Sequence, residues 1–283
     1  SAVARAACHR HTGLGADGLI VYRASGTRAA MRLLNADGSR SEISGNGIRC
    51  LAAWLAHPSR TSGVAGVGAE PFDDAQGRPF DDAQGRPFDG AQSRLARPGT
   101  KFLIDTDAGE KVLTLVGEAR GRYTFRAAMG PPDAIAQRDL SVAAETVLAV
   151  TLRVGNPQCV VLGEATEARL HRLGLALATH PAFPEGTNVE FADVEAPDRV
   201  RILIWERGVG PTLASGTGAC AAAVAAASYG GAGRDVLVTS PGGTQRVEWR
   251  DDGLYLTGWA EVVLTGAWIA QPQPAPDEGG RGT

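Results

Sequence analysis

The sequence predicts an α/β protein built from two similar halves, and three observations carry that prediction. Short strand-like runs alternate with helical runs along most of the 283 residues. The composition, 43% hydrophobic and 21% charged, can bury a substantial core. One pattern, a strand, a turn and then Ser-Gly-x-Gly opening an Ala-rich helix, occurs as SGNGIRCLAA at 44–53 and again as SGTGACAAAV at 215–224. At roughly 100–200 residues per domain the length suits two modest domains.

In chain order, 18–24 and 29–36 read as strands, and GIRCLAAWLAH (47–57) has helical apolar spacing stopped by Pro58. Residues 101–117 form two strands joined at Asp-Ala-Gly, and 147–163 two strands joined at Gly-Asn-Pro. An amphipathic helix follows at 167–180, a strand at 200–208 and an Ala-rich helix at 216–230 that closes at glycines. Further strand-like runs continue from Val236 to about residue 266, and 271–283 reads as a disordered tail. One segment breaks the pattern. Residues 71–94 read PFDDAQGR, PFDDAQGR, PFDGAQSR, with too little apolar surface to offset the entropy of ordering, and are expected to be an expanded surface loop.

Several function classes are disfavoured. A net charge of −3 supplies no general attraction to nucleic acid or anionic membrane. Only Lys101 and Lys111 among 28 basic residues are lysines, which reads as coding bias and not as a binding surface. No apolar run approaches the roughly 18 residues that cross a bilayer, and the opening SAVARAACHRH has no signal-peptide core. Cys8, Cys50, Cys159 and Cys220 are far apart and lack metal-ligand spacing, so neither a disulfide scaffold nor a zinc site is expected, and the cytoplasm is the expected compartment.

The doubled motif points to chemistry at helix ends. Ser-Gly-x-Gly leaves backbone N–H groups free at the positive end of a helix, where a carboxylate can bind, and the glycines allow close approach. A single copy is most simply an N-cap. Two copies facing each other could grip an amino acid's α-carboxylate and flank its α-carbon from both faces. GNPQ (155–158), EGTNV (185–189) and ERG (206–208) add polar groups at turns after strands, where site residues usually sit.

NADGS followed by SGNGIRC, then GNPQCV, HPAFPEGTNVEF, ERGVGPTLASGTGAC and the closing SPGG and LTG resemble the diaminopimelate epimerase family over about residues 8–266. The resemblance implies two domains, each a sheet wrapped around a central helix, with the site in the cleft between them. The halves are expected at 1–116 and 117–268, the last strand returning to the first half, with 269–283 as a tail. It further implies cofactor-independent, two-base interconversion of LL- and meso-diaminopimelate, with no metal and a homodimeric assembly. By resemblance Asn35, Asn156, Asn188 and Arg207 hold the distal amino-acid end of the substrate. Gly45, Asn46, Gly216 and Thr217 hold the reacting α-carboxylate through their backbones.

The chain departs from the family at the bases. The two family cysteines, each first in its box, are here Ser44 and Ser215. A thiol, with a free pKa of about 8.5 that falls at a helix N-terminus, suits proton transfer, whereas an alcohol needs a strong partner base. The family histidine after Gly-Asn-Pro is Gln158, which cannot accept a proton at neutral pH, while the helper glutamate is retained as Glu206. Cys50 and Cys220 should lie deeper on other faces of their helices, at roughly 100° per residue. The family's opening Gly-Asn-Asp-Phe strand is absent, so an upstream segment is expected. Two other readings compete: a racemase or dehydratase of the proline-racemase type, and a ligand-binding relative without catalysis.

Overall fold

The computed structural model describes residues 1–41, 45–59, 96–107 and 109–268. Ser44, the octapeptide repeat at 71–94 and the tail at 269–283 lie outside the described residues.

The chain opens with helix α1 (Ala2–Cys8), strands β1 (Gly18–Ser25), β2 (Arg28–Asn35) and β3 (Arg40–Ser41), and helix α2 (Gly45–Ala56). Strands β4 (Lys101–Thr106), β5 (Gly109–Ala119), β6 (Arg122–Gly130), β7 (Asp133–Val142), β8 (Glu145–Val154) and β9 (Asn156–Leu162) follow. Next come α3 (Glu167–Ala178), β10 (Asn188–Ala196), β11 (Arg199–Glu206), β12 (Gly210–Thr212) and α4 (Gly216–Tyr229). Strands β13 (Asp235–Ser240), β14 (Gly243–Arg250) and β15 (Gly253–Glu261) complete the fold. The mixed α/β class and the elements read from periodicity are all present, each within a few residues of its expected ends.

The strands hydrogen-bond along one path, β1-β2-β4-β5-β6-β15-β14-β13-β11-β10-β9-β8-β7, with β3 on β2 and β12 on β11. Strand β15 lies between β6 and β14, so the last strand joins the β1-to-β6 stretch of the path to the β14-to-β7 stretch. Strands β6 and β7 occupy 122–142, a stretch the sequence reading passed over. The alternation was there to be read: Tyr123, Phe125, Ala127 and Met129 of β6 are buried and their neighbours are not. Similarly, Asn156 to Gln158 and Asn188 to Val189 open strands β9 and β10 and are not turn residues.

Two helices sit inside this sheet. Helix α2 packs on β5, β6 and β15, and α4 packs on β8 to β11 and β13 to β15. Every residue of α4 from Gly216 to Ala226 is buried. Its alanines suit that position, since they favour helix and keep the radius small enough for strands to close around it. Helix α3 is the amphipathic one. Thr166 caps its start, and Leu170, Leu173 and Leu177 are buried in a second core with Phe191 and Val189 of β10. Gly174 admits the Trp205 ring, which a Cβ there would meet at 2.6 Å.

Candidate active site

The N-termini of α2 and α4 abut. A Cβ built on Gly45 would lie 2.9 Å from the Gly216 Cα, and one on Gly216 would lie 2.9 Å from the Gly45 Cα. Only residues without a side chain allow two backbones this close. The Asn46 Nδ2 donates to the Ala214 carbonyl at 3.0 Å, and its Oδ1 accepts from Arg49 Nη2. The two Ser-Gly-x-Gly helices are thus brought end to end, with their first-turn N–H groups and positive dipole ends converging.

Ser215 is the N-cap of α4 and is buried, with an extended backbone at φ −137°. Its Oγ accepts the Gly218 N–H at 3.1 Å and lies 3.5 Å from Thr217 Oγ1. The Glu206 carboxyl, at the end of β11, lies close enough for the Ser215 hydroxyl to influence its ionisation. Burial pushes the Glu206 carboxyl above the usual range; the Ser215 hydroxyl opposes this and the charge of Asp17 reinforces it. Asp17, just before β1, is thus near enough to Glu206 for its charge to be felt there.

The polar row faces α4 from one end of the sheet. Strands β9 and β10 run parallel with Asn188 in register with Gln158, and β11 runs antiparallel to β10. The starts of β9 and β10 and the end of β11 therefore share an edge, which collects Asn156, Gln158, Asn188 and Glu206. The Asn188 Oδ1 accepts the Arg207 N–H at 2.9 Å, and the exposed Arg207 side chain donates to the Glu185 carbonyl at 2.7 Å. Gly186 has φ +74° and lies under the Arg207 chain, where a Cβ would meet Cδ at 2.9 Å. Asn35 lies elsewhere in its contacts: its Nδ2 donates to Ser39 Oγ at 3.0 Å, inside its own turn.

Sequence reasoning missed Glu190. It is fully buried on β10, two residues beyond Asn188 and so on the same face of the strand. A Cβ on Gly218 would lie 2.5 Å from its Oε1, so the carboxyl group is tucked beneath the first turn of α4. The buried Gln158 amide is oriented by its neighbours. With the amide turned to suit those neighbours, its Nε2 donates to Glu190 Oε1 and Oε2 at 3.0 and 3.2 Å and its Oε1 accepts from Thr217 Oγ1 at 3.2 Å; in the opposite orientation Nε2 donates to Asn156 Oδ1 at 2.6 Å. The Asn156 amide lies 2.6 Å away on the same side. Burial, with the charge of Glu206 adding to it, raises the Glu190 pKa well above the carboxylate range, which favours the neutral acid. The alternation Asn188, Glu190, Ala192 on one strand face was the available signal.

The cysteines stand apart from this chemistry. Cys220 is fully buried and its thiol is pushed up to about 12 by burial, while Cys50 is exposed on α2. No cluster of His, Cys, Asp or Glu among the described residues could hold a metal ion. A cavity of about 450 Å³ opens on the far side of Gln158, walled by Arg138, Arg153, Phe183 and Glu185. Gln158 is the residue it shares with the helix ends.

The family model described as diaminopimelate epimerase matches residues 1–64 and 150–263. The chain is 37% identical over 272 residues to the diaminopimelate epimerase of Desulforudis audaxviator, covering 95% of this chain and 89% of that one. It is 38% identical over 264 residues to that of Synechococcus elongatus, covering 92% and 85%. Among solved structures it resembles a hydroxyproline epimerase from Agrobacterium vitis, with a TM-score of 0.61, 16% identity and coverage of 91% and 76%. A probable proline racemase from Agrobacterium radiobacter aligns with a TM-score of 0.57, 17% identity and coverage of 88% and 76%. At such identities these two show a shared fold alone. With the family model matching more than half of it and relatives this similar along nearly all of it, the chain belongs to the diaminopimelate epimerase family.

Proposed function

We propose that this chain is an isomerase that interconverts LL- and meso-2,6-diaminopimelate by proton transfer at the α-carbon, without a cofactor, on the path to lysine and cell-wall precursors. The observation that carries the reading is the end-to-end contact of α2 and α4 at Gly45 and Gly216. Two converging helix N-termini would neutralise the α-carboxylate and the charge that builds on it as the α-proton leaves. The backbones of Gly45, Asn46, Gly216 and Thr217 supply the donors in this reading.

On one face Ser215 takes the α-proton while passing its own hydroxyl proton to Glu206, so the serine stays neutral and the glutamate becomes the acid. Its raised pKa suits that exchange. Ser44, which precedes Gly45 in the chain, gives its hydroxyl proton to the carbanion from the opposite face, and the alkoxide left behind takes a proton from water. Gln158 cannot titrate and acts by holding Thr217 and Asn156. The distal amino-acid end is assigned to Asn35, Asn156, Asn188 and Arg207, and Asn35 would have to exchange its bond to Ser39 for one to the ligand. The chain divides at 116/117 in this reading, inside β5, with β15 returning to the first half. The enzyme is a cytoplasmic homodimer. No helix among the described residues is long and apolar enough to cross a membrane.

The test is exchange of the α-proton of LL- and meso-diaminopimelate in deuterated water, followed by NMR, with Ser44→Ala and Ser215→Ala as controls. Exchange that disappears in both controls supports the assignment. Binding without exchange would favour the second reading, a ligand-binding relative. The amide at 158, where a base is needed, supports that alternative. Exchange of proline in place of diaminopimelate would favour the proline-racemase type.

A further inference from the structure

Arg49 is a buried cation with no counter-ion among the described residues. It lies one turn into α2, is 3% exposed, and its Nη2 donates to Asn46 Oδ1. Its Nε and Nη1 have no hydrogen-bond partner. The guanidinium rests on the backbone of Gly258 in β15, where a Cβ would come within 3.2 Å of Cζ and 3.3 Å of Nε. The titratable groups that face it are Cys50 of its own helix and Cys220 of α4, and the thiols of both are raised above their ordinary range and so stay neutral. Among the described residues no carboxylate pairs with it. Burying an unpaired charge is among the costliest arrangements a core can hold.

The charge has an outlet toward the helix ends. Arg49 donates to the Asn46 oxygen, and the same amide's Nδ2 donates to the Ala214 carbonyl at 3.0 Å, next to the α4 cap Ser215. A donor that is polarised by a cation on its far side is itself a stronger donor. The field of the guanidinium also adds to the positive ends of both helix dipoles. We propose that Arg49 is a positioning residue of the carboxylate site, supplying through Asn46 the positive charge that a ligand carboxylate neutralises at the abutting ends of α2 and α4. The proposal rests on the reading of those ends as a carboxylate site.

In this reading the ligand carboxylate supplies the compensation that no described residue gives Arg49. Arg49→Met should leave the free chain as stable as before or more so, because an apolar side chain replaces an unpaired charge. It should weaken carboxylate binding about tenfold or more. Arg49→Gln keeps a donor for Asn46 but removes the charge, and should lose affinity likewise; it decides the matter if the Met variant does not fold. Arg49→Lys keeps the charge without the planar fork and should recover part of the affinity.

The experiment is thermal unfolding of each variant, with and without meso-diaminopimelate, and separately with acetate as a bare carboxylate probe. The expected result is a ligand-induced shift in the parent chain that falls away in Arg49→Met and Arg49→Gln. Equal ligand-induced shifts in parent and neutral variants would overturn the role of Arg49 and leave the epimerase reading standing. So would a loss of free-chain stability in Arg49→Met with the shift intact, which marks a purely structural arginine. A parent stabilised by acetate but not by diaminopimelate, in an Arg49-dependent way, would keep the carboxylate assignment and overturn the substrate. No shift with either probe would overturn both.

Discussion

Gly45 and Gly216 touch backbone to backbone, each standing where a Cβ on the other would come within 2.9 Å of its Cα. The two helix starts can converge on one carboxylate only while both positions lack a side chain. Gly216→Ala should force the ends apart or the core to shift, at a cost of about 1–3 kcal/mol. Denaturant unfolding should register that loss, and α-proton exchange should fall with it. An alanine variant that unfolds and exchanges like the parent would show that the contact is not needed.

Ser215 accepts from Gly218 at the start of α4 and favours the charged form of the nearby Glu206, so it stands between helix and base. Ser215→Ala removes a cap worth about 1 kcal/mol and should cut exchange about 100-fold or more. Replacing both Ser44 and Ser215 by cysteine should instead raise exchange, because a thiol at a helix N-terminus ionises far more readily than an alcohol. Rates from NMR in deuterated water decide it. An unchanged rate in the alanine variant, or no gain in the double cysteine variant, would count against these positions as the proton carriers.

Glu190 retains its proton to higher pH in the folded chain than in the unfolded one, because burial and the charge of Glu206 disfavour its anion. Between the ordinary value of 4.5 and its raised value the folded state holds more protons, so this group's contribution to stability falls as pH rises. Glu206 has the same sign. Glu190→Gln should therefore flatten the decline in stability from mildly acidic to neutral pH, and leave the chain at neutral pH at least as stable as its parent. Denaturant midpoints across that range would show an unaltered slope if the decline has another origin.

Of the four cysteines, Cys50 alone is exposed, while Cys8, Cys159 and Cys220 are buried. The thiols of all four are raised, so accessibility and not ionisation separates Cys50 from the rest. A thiol-reactive reagent should label Cys50 first in the native protein, and the other three only after denaturation. Peptide mass spectrometry gives the answer. Early labelling of Cys220 would mean that α4 is less enclosed than its alanines imply.

Much of the fold was legible because its signals are local. Pro58 ends α2, the glycines after Tyr229 end α4, and Gly155 with φ +76° turns β8 into β9. Strands β6 and β7 were missed although Tyr123, Phe125, Ala127 and Met129 alternate and Gly130-Pro131-Pro132 marks the turn between them, so both local signals were present. The site was legible as a set of names: Asn156, Gln158, Asn188, Glu206 and Ser215 do gather around α4. Asn35 closes its own turn, and Glu190 drew no notice as an acid in an apolar strand.

By itself the sequence determined the element types, the doubled helix start and the family, because periodicity, capping and motif spacing are written along the chain. Which groups meet was decided by the tertiary structure: Gly45 against Gly216, Arg49 over Gly258, Gln158 between Glu190 and Thr217, and β15 between β6 and β14. A local pattern says that a residue will be buried but not against what. The charge state of Glu190 and the isolation of Arg49 follow from which distant strands and helices enclose them, since burial and neighbouring charge set both.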